Sequence, residues 1–324
     1  MKIVFAYKDK LPASYVAFLT ELIPPSFTIE HIPFSASDSA FERTLAEADA
    51  ALFTPSGKYL PSPAFGDRLK LIQLLSSGYE KFNVAGAAAK GIPVANNGGA
   101  NATAVAEHTI LLMLSLLRRL NEHNERGRAG LSMHENYGMD MHTLAGKTVG
   151  IIGHGRVGTA VAEKLMCLGA RILAYDIQAV PHRTSLPDLL KESDIVTLHV
   201  RLNPETAGMF GKNEFATMKK GAFFINTARA ELVDQSALIR ALSGNKKEPA
   251  HLAGAGLDVV QDKRRIDPTF RAHPRVIITP HIAGATRDTY ARAMAHAVAN
   301  FERVAQGEPP LSVINGVSPH HITK

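Results

Sequence analysis

Tryptophan is absent from the 324 residues, and cysteine occurs once, at Cys167. A single thiol excludes a disulfide framework and any zinc site built from cysteine clusters, and it suits a reducing cytosol. Long apolar runs are missing too. The best stretch, residues 110–117, is far short of the ~20 residues that a membrane span needs, and it follows Glu107 and His108. No secretory leader is legible, because the apolar start Ile3-Val4-Phe5-Ala6-Tyr7 is strand-sized and runs into Lys8-Asp9-Lys10. A cytoplasmic protein without a membrane partner is the expectation. A large excess of charge of one sign is also lacking, with 36 Lys+Arg against 30 Asp+Glu and a net charge of +6. The charges are dispersed, and the basic runs Arg118-Arg119 and Lys263-Arg264-Arg265 are short. With no tryptophan to stack bases, this reads as solvated surface and not as a nucleic-acid site.

What is present is a chain about twice the usual domain length with an ordinary 45% of hydrophobic residues, which implies two domains with real cores. Short apolar runs recur at βα spacing, beginning near Ile3, Thr28, Ala51, Leu71 and Ile92, with helix-like stretches at 13–22, 41–48 and 84–90 between them. A second series begins near Thr148, Arg171, Asp194, Ala222, Gly254 and Val276. Strands alternating with helices in this way predict two doubly wound α/β domains with parallel sheets. Between the series, 103–120 carries a long helical pattern with Val105, Thr109, Leu112 and Leu116 on one face. After the second series comes a helical stretch at 288–304 and an extended tail at 311–315. The chain is therefore expected to end on its first domain, giving domains 1–100 plus 288–324 and 101–287, with a cleft between them.

One loop carries a chemical signature. The strand-like Val149-Gly150-Ile151-Ile152 runs into Gly153-His154-Gly155-Arg156-Val157-Gly158 and then into a helical stretch. A G-x-G-x-x-G at a strand-to-helix junction suits a dinucleotide, the pattern of the Rossmann fold. Gly153 permits the tight turn, Gly155 lets backbone approach a pyrophosphate, and Gly158 permits close packing of helix on strand. Unpaired N–H groups at the helix start then face the anion. The next strand ends at Asp176, whose carboxylate suits ribose hydroxyls and repels a 2′-phosphate. That favours NAD over NADP.

Two further runs sit where α/β sheets place ligands, at strand ends. Asn226-Thr227-Ala228-Arg229 offers a planar guanidinium fork to a carboxylate. Thr279-Pro280-His281 offers an imidazole that exchanges protons near neutral pH. The glycine loop with Asp176, the 226–229 run with Glu231-Leu232-Val233-Asp234, Gly256-Leu257-Asp258-Val259 and Thr279-Pro280-His281 follow one another in a single order. With Val105-Ala106-Glu107-His108 added, the chain resembles the D-specific 2-hydroxyacid dehydrogenases over nearly its whole length.

The resemblance implies a Rossmann NAD-binding domain and a flavodoxin-like substrate domain, an oxidoreductase acting on a small 2-oxo or D-2-hydroxy acid, no metal, and a homodimer built through segment 103–137. Arg229 would bind the substrate carboxylate and carbonyl, and His281 would be the acid/base. Ser77 and Gly78, within Ser76-Ser77-Gly78-Tyr79, would hold the carboxylate through backbone N–H groups. Asp258 would meet the nicotinamide carboxamide, His199, Val200 and Thr206 would line the cofactor trough, and Thr227 and Ala228 would lie near the nicotinamide ribose.

The chain departs from the family's pattern in two places. The family's His-x-Pro after the third strand of this domain reads His199-Val200-Arg201 here. The family's catalytic Glu, five residues after the Asp of Leu-Asp-Val, is replaced by Lys263, with Asp262 just before it. A carboxylate beside His281 would favour the imidazolium and a lysine would disfavour it, so either Asp262 or Lys263 neighbours the histidine. This loss also keeps open an NAD(H)-binding regulator of the corepressor kind. Residues 265–268 and 272–274 resemble a stretch of the phosphite dehydrogenase branch, but that branch has a lysine in the substrate loop where this chain has Ser77.

Overall fold

The run Ile3-Val4-Phe5-Ala6 is wholly buried inside β1 (Lys2–Tyr7), as a strand covered on both faces must be. The computed structural model describes residues 1–55, 65–131, 138–243, 250–262 and 266–317. It divides into two units, Met1–Asn101 with Thr286–Lys324, and Ala102–Ala285.

In the first unit, β1 is followed by α1 (Ala13–Glu21), β2 (Thr28–Pro33), α2 (Asp38–Ala46), β3 (Ala50–Phe53), β4 (Leu71–Leu74), α3 (Val84–Ala89) and β5 (Val94–Ala95). Side-chain caps set the helix starts: Ser37 Oγ accepts from the Ala40 N–H and Asn83 Oδ1 from the Gly86 N–H. The strands pair in parallel in the order β2-β1-β3-β4-β5, the flavodoxin-like order.

The second unit opens with α4 (Ala102–Leu117) and α5 (Leu120–Arg128), then β6 (Thr148–Ile152), α6 (Arg156–Cys167), β7 (Arg171–Tyr175), α7 (Leu186–Glu192) and β8 (Ile195–Leu198). It continues through α8 (Lys212–Thr217), β9 (Phe223–Asn226), a 3₁₀ turn (Ala230–Leu232), α9 (Gln235–Leu242), β10 (Gly254–Leu257), α10 (Pro268–Ala272) and β11 (Val276–Ile278). The sheet order is β11-β10-β9-β8-β6-β7. A single parallel bridge from Ala174 to Arg183 extends it beyond β7, so a vestigial strand completes the dinucleotide-binding order. The order reverses between β6 and β8, where such sheets bind their ligands.

The helical pattern at 103–120 is divided in the structure. Arg119 has φ 50, and this left-handed residue separates α4 from α5. Its guanidinium pairs with Glu122 and Asp140, and Arg275 joins Asp140 from the start of β11. Tertiary ion pairs hold the break, and no glycine or proline announces it. α4 is buried around most of its circumference: Val105, Thr109, Leu112 and Leu116 point inward, and so do Ala106, Ile110, Met113 and Leu117.

The last helix, α11 (Arg287–Ala305), packs Met294, Ala297 and Phe301 into the first unit's core. Buried Asn300 bonds Gln73 on β4 and both backbone groups of Leu311. The tail then runs beside β5, with Val313 bridging Ala95. No helix among the described residues is long and apolar enough to cross a membrane.

Candidate active site

The glycine loop is shaped by close backbone approach. Gly153 follows β6 with φ 92, and a Cβ there would lie 2.7 Å from the backbone of His199 and Val200. A Cβ on Gly158 would lie 2.1 Å from the Gly153 carbonyl oxygen, so the helix rests directly on the turn. At Gly155 a Cβ would meet nothing within 4 Å, and α6 begins there without a side-chain cap. Open space before an uncapped helix start fits the phosphates of a dinucleotide. Arg156 and Val157 open the helix, and Arg156 is exposed.

Asp176 lies at the end of β7 beside this loop. Its carboxylate accepts from the His154 N–H at 2.7 Å and the Gln178 N–H at 3.0 Å. Desolvation alone would raise its pKa, but the N–H donors of Gln178, His154 and Ile177 together outweigh it and hold the group below its ordinary value. Across the switch point, the His199 N–H bonds the Ile152 carbonyl at 2.7 Å, and His199 Nε2 lies 3.0 Å from Thr197 Oγ1. Burial, then repulsion from His154, pushes His199 down to about 3, so the imidazole is neutral. Val200 is half-buried beside it. Thr206 closes the following loop by donating to the Arg201 carbonyl at 2.6 Å.

The ends of β9, β10 and β11 form the other edge. In register, Leu257 faces Asn226 on one side and Ile278 on the other, so Arg229 and His281 each stand three residues beyond strands that flank Asp258. The Asn226 amide donates to the Arg229 carbonyl at 2.8 Å and its oxygen accepts from the Ala228 N–H at 3.0 Å, which fixes the turn under Arg229. Arg229 is half-buried, and its guanidinium donates to the Ala228 carbonyl at 2.8 Å.

Asp258 is 1% exposed and is tied to the turn that carries His281. One oxygen accepts from Thr279 Oγ1 at 2.6 Å and the Ile282 N–H at 2.9 Å, and the other from the Ala283 N–H at 2.9 Å. His281 itself is exposed and has φ 63, a conformation unfavourable for a non-glycine residue. The three bonds to Asp258 hold it there.

Two participants were not singled out by their own chemistry in the sequence. His108 Nε2 lies 2.9 Å from Thr279 Oγ1, and Thr109 Oγ1 lies 2.9 Å from Thr227 Oγ1. The sequence signals were that His108 closes the 105–108 run and that Thr109 shares a helix face with Val105, Leu112 and Leu116. Ser76–Gly78 belongs to the first unit, where Ser76 Oγ donates to the Gly78 carbonyl at 2.7 Å and the Asn96 amide to the Ser77 carbonyl at 3.2 Å. Asp262 is exposed, and Lys263 lies outside the described residues.

Residues 110–283 match the family model for the D-isomer specific 2-hydroxyacid dehydrogenase, NAD binding domain. The chain is similar to a glyoxylate reductase of Thermofilum pendens, 35% identical over 263 residues, covering 76% of this chain and 75% of the relative. It is 34% identical over 248 residues to a glycerate dehydrogenase of Methylorubrum extorquens, covering 74% and 77%. Among solved structures, the NAD-complexed D-isomer specific 2-hydroxyacid dehydrogenase of Lactobacillus delbrueckii ssp. bulgaricus aligns with a TM-score of 0.81 at 28% identity, covering 97% of this chain and 100% of that one.

Proposed function

The chain belongs to the D-isomer-specific 2-hydroxyacid dehydrogenases, NAD-dependent oxidoreductases, and on that premise we propose that it interconverts a small 2-oxo acid and its D-2-hydroxy acid with Arg229 as anchor and His281 as acid/base. The observation that carries this reading is the matched departure of Arg229 and His281 from strands on either side of Asp258.

NAD, when bound, accepts or supplies the hydride. The chain's residues do the rest. Gly153, Gly155 and Gly158, with Arg156 and Val157, cradle the phosphates, while Asp176 takes the ribose hydroxyls and so prefers NAD to NADP. His199, Val200 and Thr206 line the trough, and Thr227 and Ala228 flank the nicotinamide ribose. Asp258, which accepts three bonds from the turn at 279–283, is the proposed partner of the carboxamide. Arg229 grips the substrate carboxylate and polarises the carbonyl. An imidazole N–H of His281 gives its proton to the carbonyl oxygen in reduction, and the unprotonated ring nitrogen takes the hydroxyl proton in oxidation. Asp262 is the carboxylate proposed to partner His281, where it would favour the imidazolium; Lys263 in its place would disfavour it. A homodimer formed through the second unit would cover Leu111 and Leu120, each 51% exposed; a dimer mass by light scattering checks it.

The loss of the family's glutamate favours one second reading, an NAD(H)-binding regulator with weak turnover. A panel of 2-oxo acids including glyoxylate, hydroxypyruvate and pyruvate, assayed with NADH, separates the two. Consumption of NADH with at least one acid is the expected result. NADH binding with no turnover on any panel member selects the regulator.

A further inference from the structure

We propose that α4 is a brace for the two reactive loops, with His108 and Thr109 acting as positioning residues for His281 and Arg229. This inference rests on the functional reading above. The two residues are neighbours on the helix, and each bonds a threonine two residues before a reactive side chain: His108 to Thr279 and Thr109 to Thr227. α4 lies across β9, β10 and β11, so one rigid element reaches both loops.

Donor accounting fixes the direction of each bond. Thr279 has one hydroxyl proton and gives it to Asp258 at 2.6 Å, so its oxygen must accept from His108 Nε2–H. Nε2 of His108 thereby carries a proton, and it lies 3.7 Å from the Asp258 carboxylate. Thr109 gives its proton to the Val105 carbonyl at 2.7 Å, so Thr227 must donate to Thr109. The Thr227 hydroxyl then has only lone pairs left for a ligand.

These bonds are buried. The His108 side chain is 12% exposed and that of Asp258 0%, while Thr109 is 0% and Thr227 6% exposed. A polar contact so shielded from water resists displacement. It also acts on a backbone that needs support, because His281 is held at φ 63. Without the donor from His108, the Thr279 hydroxyl is freer to rotate away from Asp258, and the turn loosens by a fraction of an ångström. Misplacement of a reacting group by ~1 Å can cost on the order of 10²-fold in rate.

The test pairs each deletion with a conservative replacement. His108→Leu removes the donor, and His108→Gln restores an N–H near the position of Nε2. Thr109→Val removes the hydroxyl, and Thr109→Ser restores it. With the 2-oxo acid that the parent reduces, His108→Leu should lower kcat by roughly 10–100-fold while the NADH dissociation constant stays within about 2-fold. His108→Gln should recover most of the rate. Thr109→Val should raise KM for the acid by about 5–10-fold with a smaller change in kcat, and Thr109→Ser should reverse it.

A readout independent of turnover is the ring N–H of His108 in protein labelled with ¹⁵N-histidine. A signal protected from exchange in the parent, and lost on Thr279→Val, supports the brace. Equal losses in each deletion and its replacement, full activity in His108→Leu, or a ring signal indifferent to Thr279→Val would overturn it. A parent that consumes no NADH with any acid defeats the functional reading, and the ring signal then decides the brace alone.

Discussion

On the proposed reading, the working atoms at the β6 end of the second sheet belong to the backbone, whereas at the β9–β11 end they belong to side chains. The cradle depends on what Gly153, Gly155 and Gly158 leave out, since a Cβ would strike neighbouring backbone at two of them and fill open space at the third. The reactive edge depends on what Asn226, Asp258, His108 and Thr109 add, as a polar scaffold fixing the turns of Arg229 and His281. A backbone cradle tolerates little variation but announces itself in sequence. A side-chain scaffold tolerates remodelling and announces little.

The two ends should therefore fail separately. The largest effect is expected from His281→Gln, which keeps a polar side chain but removes the proposed proton exchanger. The value of kcat/KM should fall by roughly 10²–10⁴-fold with NADH affinity unchanged, checked by steady-state assay beside fluorescence titration. Weaker NADH binding in this variant would merge the two ends.

Next comes Arg229→Lys, which retains charge and loses the planar fork. A loss of about 2–4 kcal/mol in kcat/KM is expected, again without change in NADH binding. At the cradle, Asp176→Ala should narrow the preference for NADH over NADPH by about tenfold, the scale of one hydrogen bond to a charged group, read from the ratio of kcat/KM values. Better use of NADPH than NADH by the parent would break the assignment of Asp176.

The smallest effect concerns stability in acid. His199 stays neutral in the folded chain down to about 3, against 6.5 for an unperturbed imidazole. Between those values the unfolded chain binds the extra proton, so folding stability falls as pH drops from 6.5 toward 3. His199→Asn should show a shallower fall, seen as a smaller shift in the urea midpoint between pH 7 and pH 5.

Much of the fold was legible. Strand starts and the βα alternation are carried by apolar runs that must be buried on both faces, and the family follows from motif order. The division of α4 from α5 was not legible, because Arg119 is held left-handed by Glu122 and Asp140 in a stretch of good helix formers. Nor was the commitment of Asp258 to the His281 turn, which joins Leu257-Asp258 to residues beyond the next strand. Motif spacing suggested a cofactor contact for Asp258 but held no trace of its backbone partners. The pairing of His108 with Thr279 was further out of reach, since it joins opposite ends of the unit and neither residue type is distinctive alone.

The most direct test of the account is NADH titration of Gly155→Val beside His281→Gln. Gly155 has an ordinary φ of −75 and open space around it, so the valine variant should fold with Tm lowered by only a few degrees for the poorer helix start, yet lose NADH binding by tenfold or more, on the order of a displaced charge-assisted contact. His281→Gln should bind NADH as the parent does and turn over poorly. Parent-like NADH binding by Gly155→Val, or binding lost equally in both variants, would contradict the separation of cradle from reactive edge.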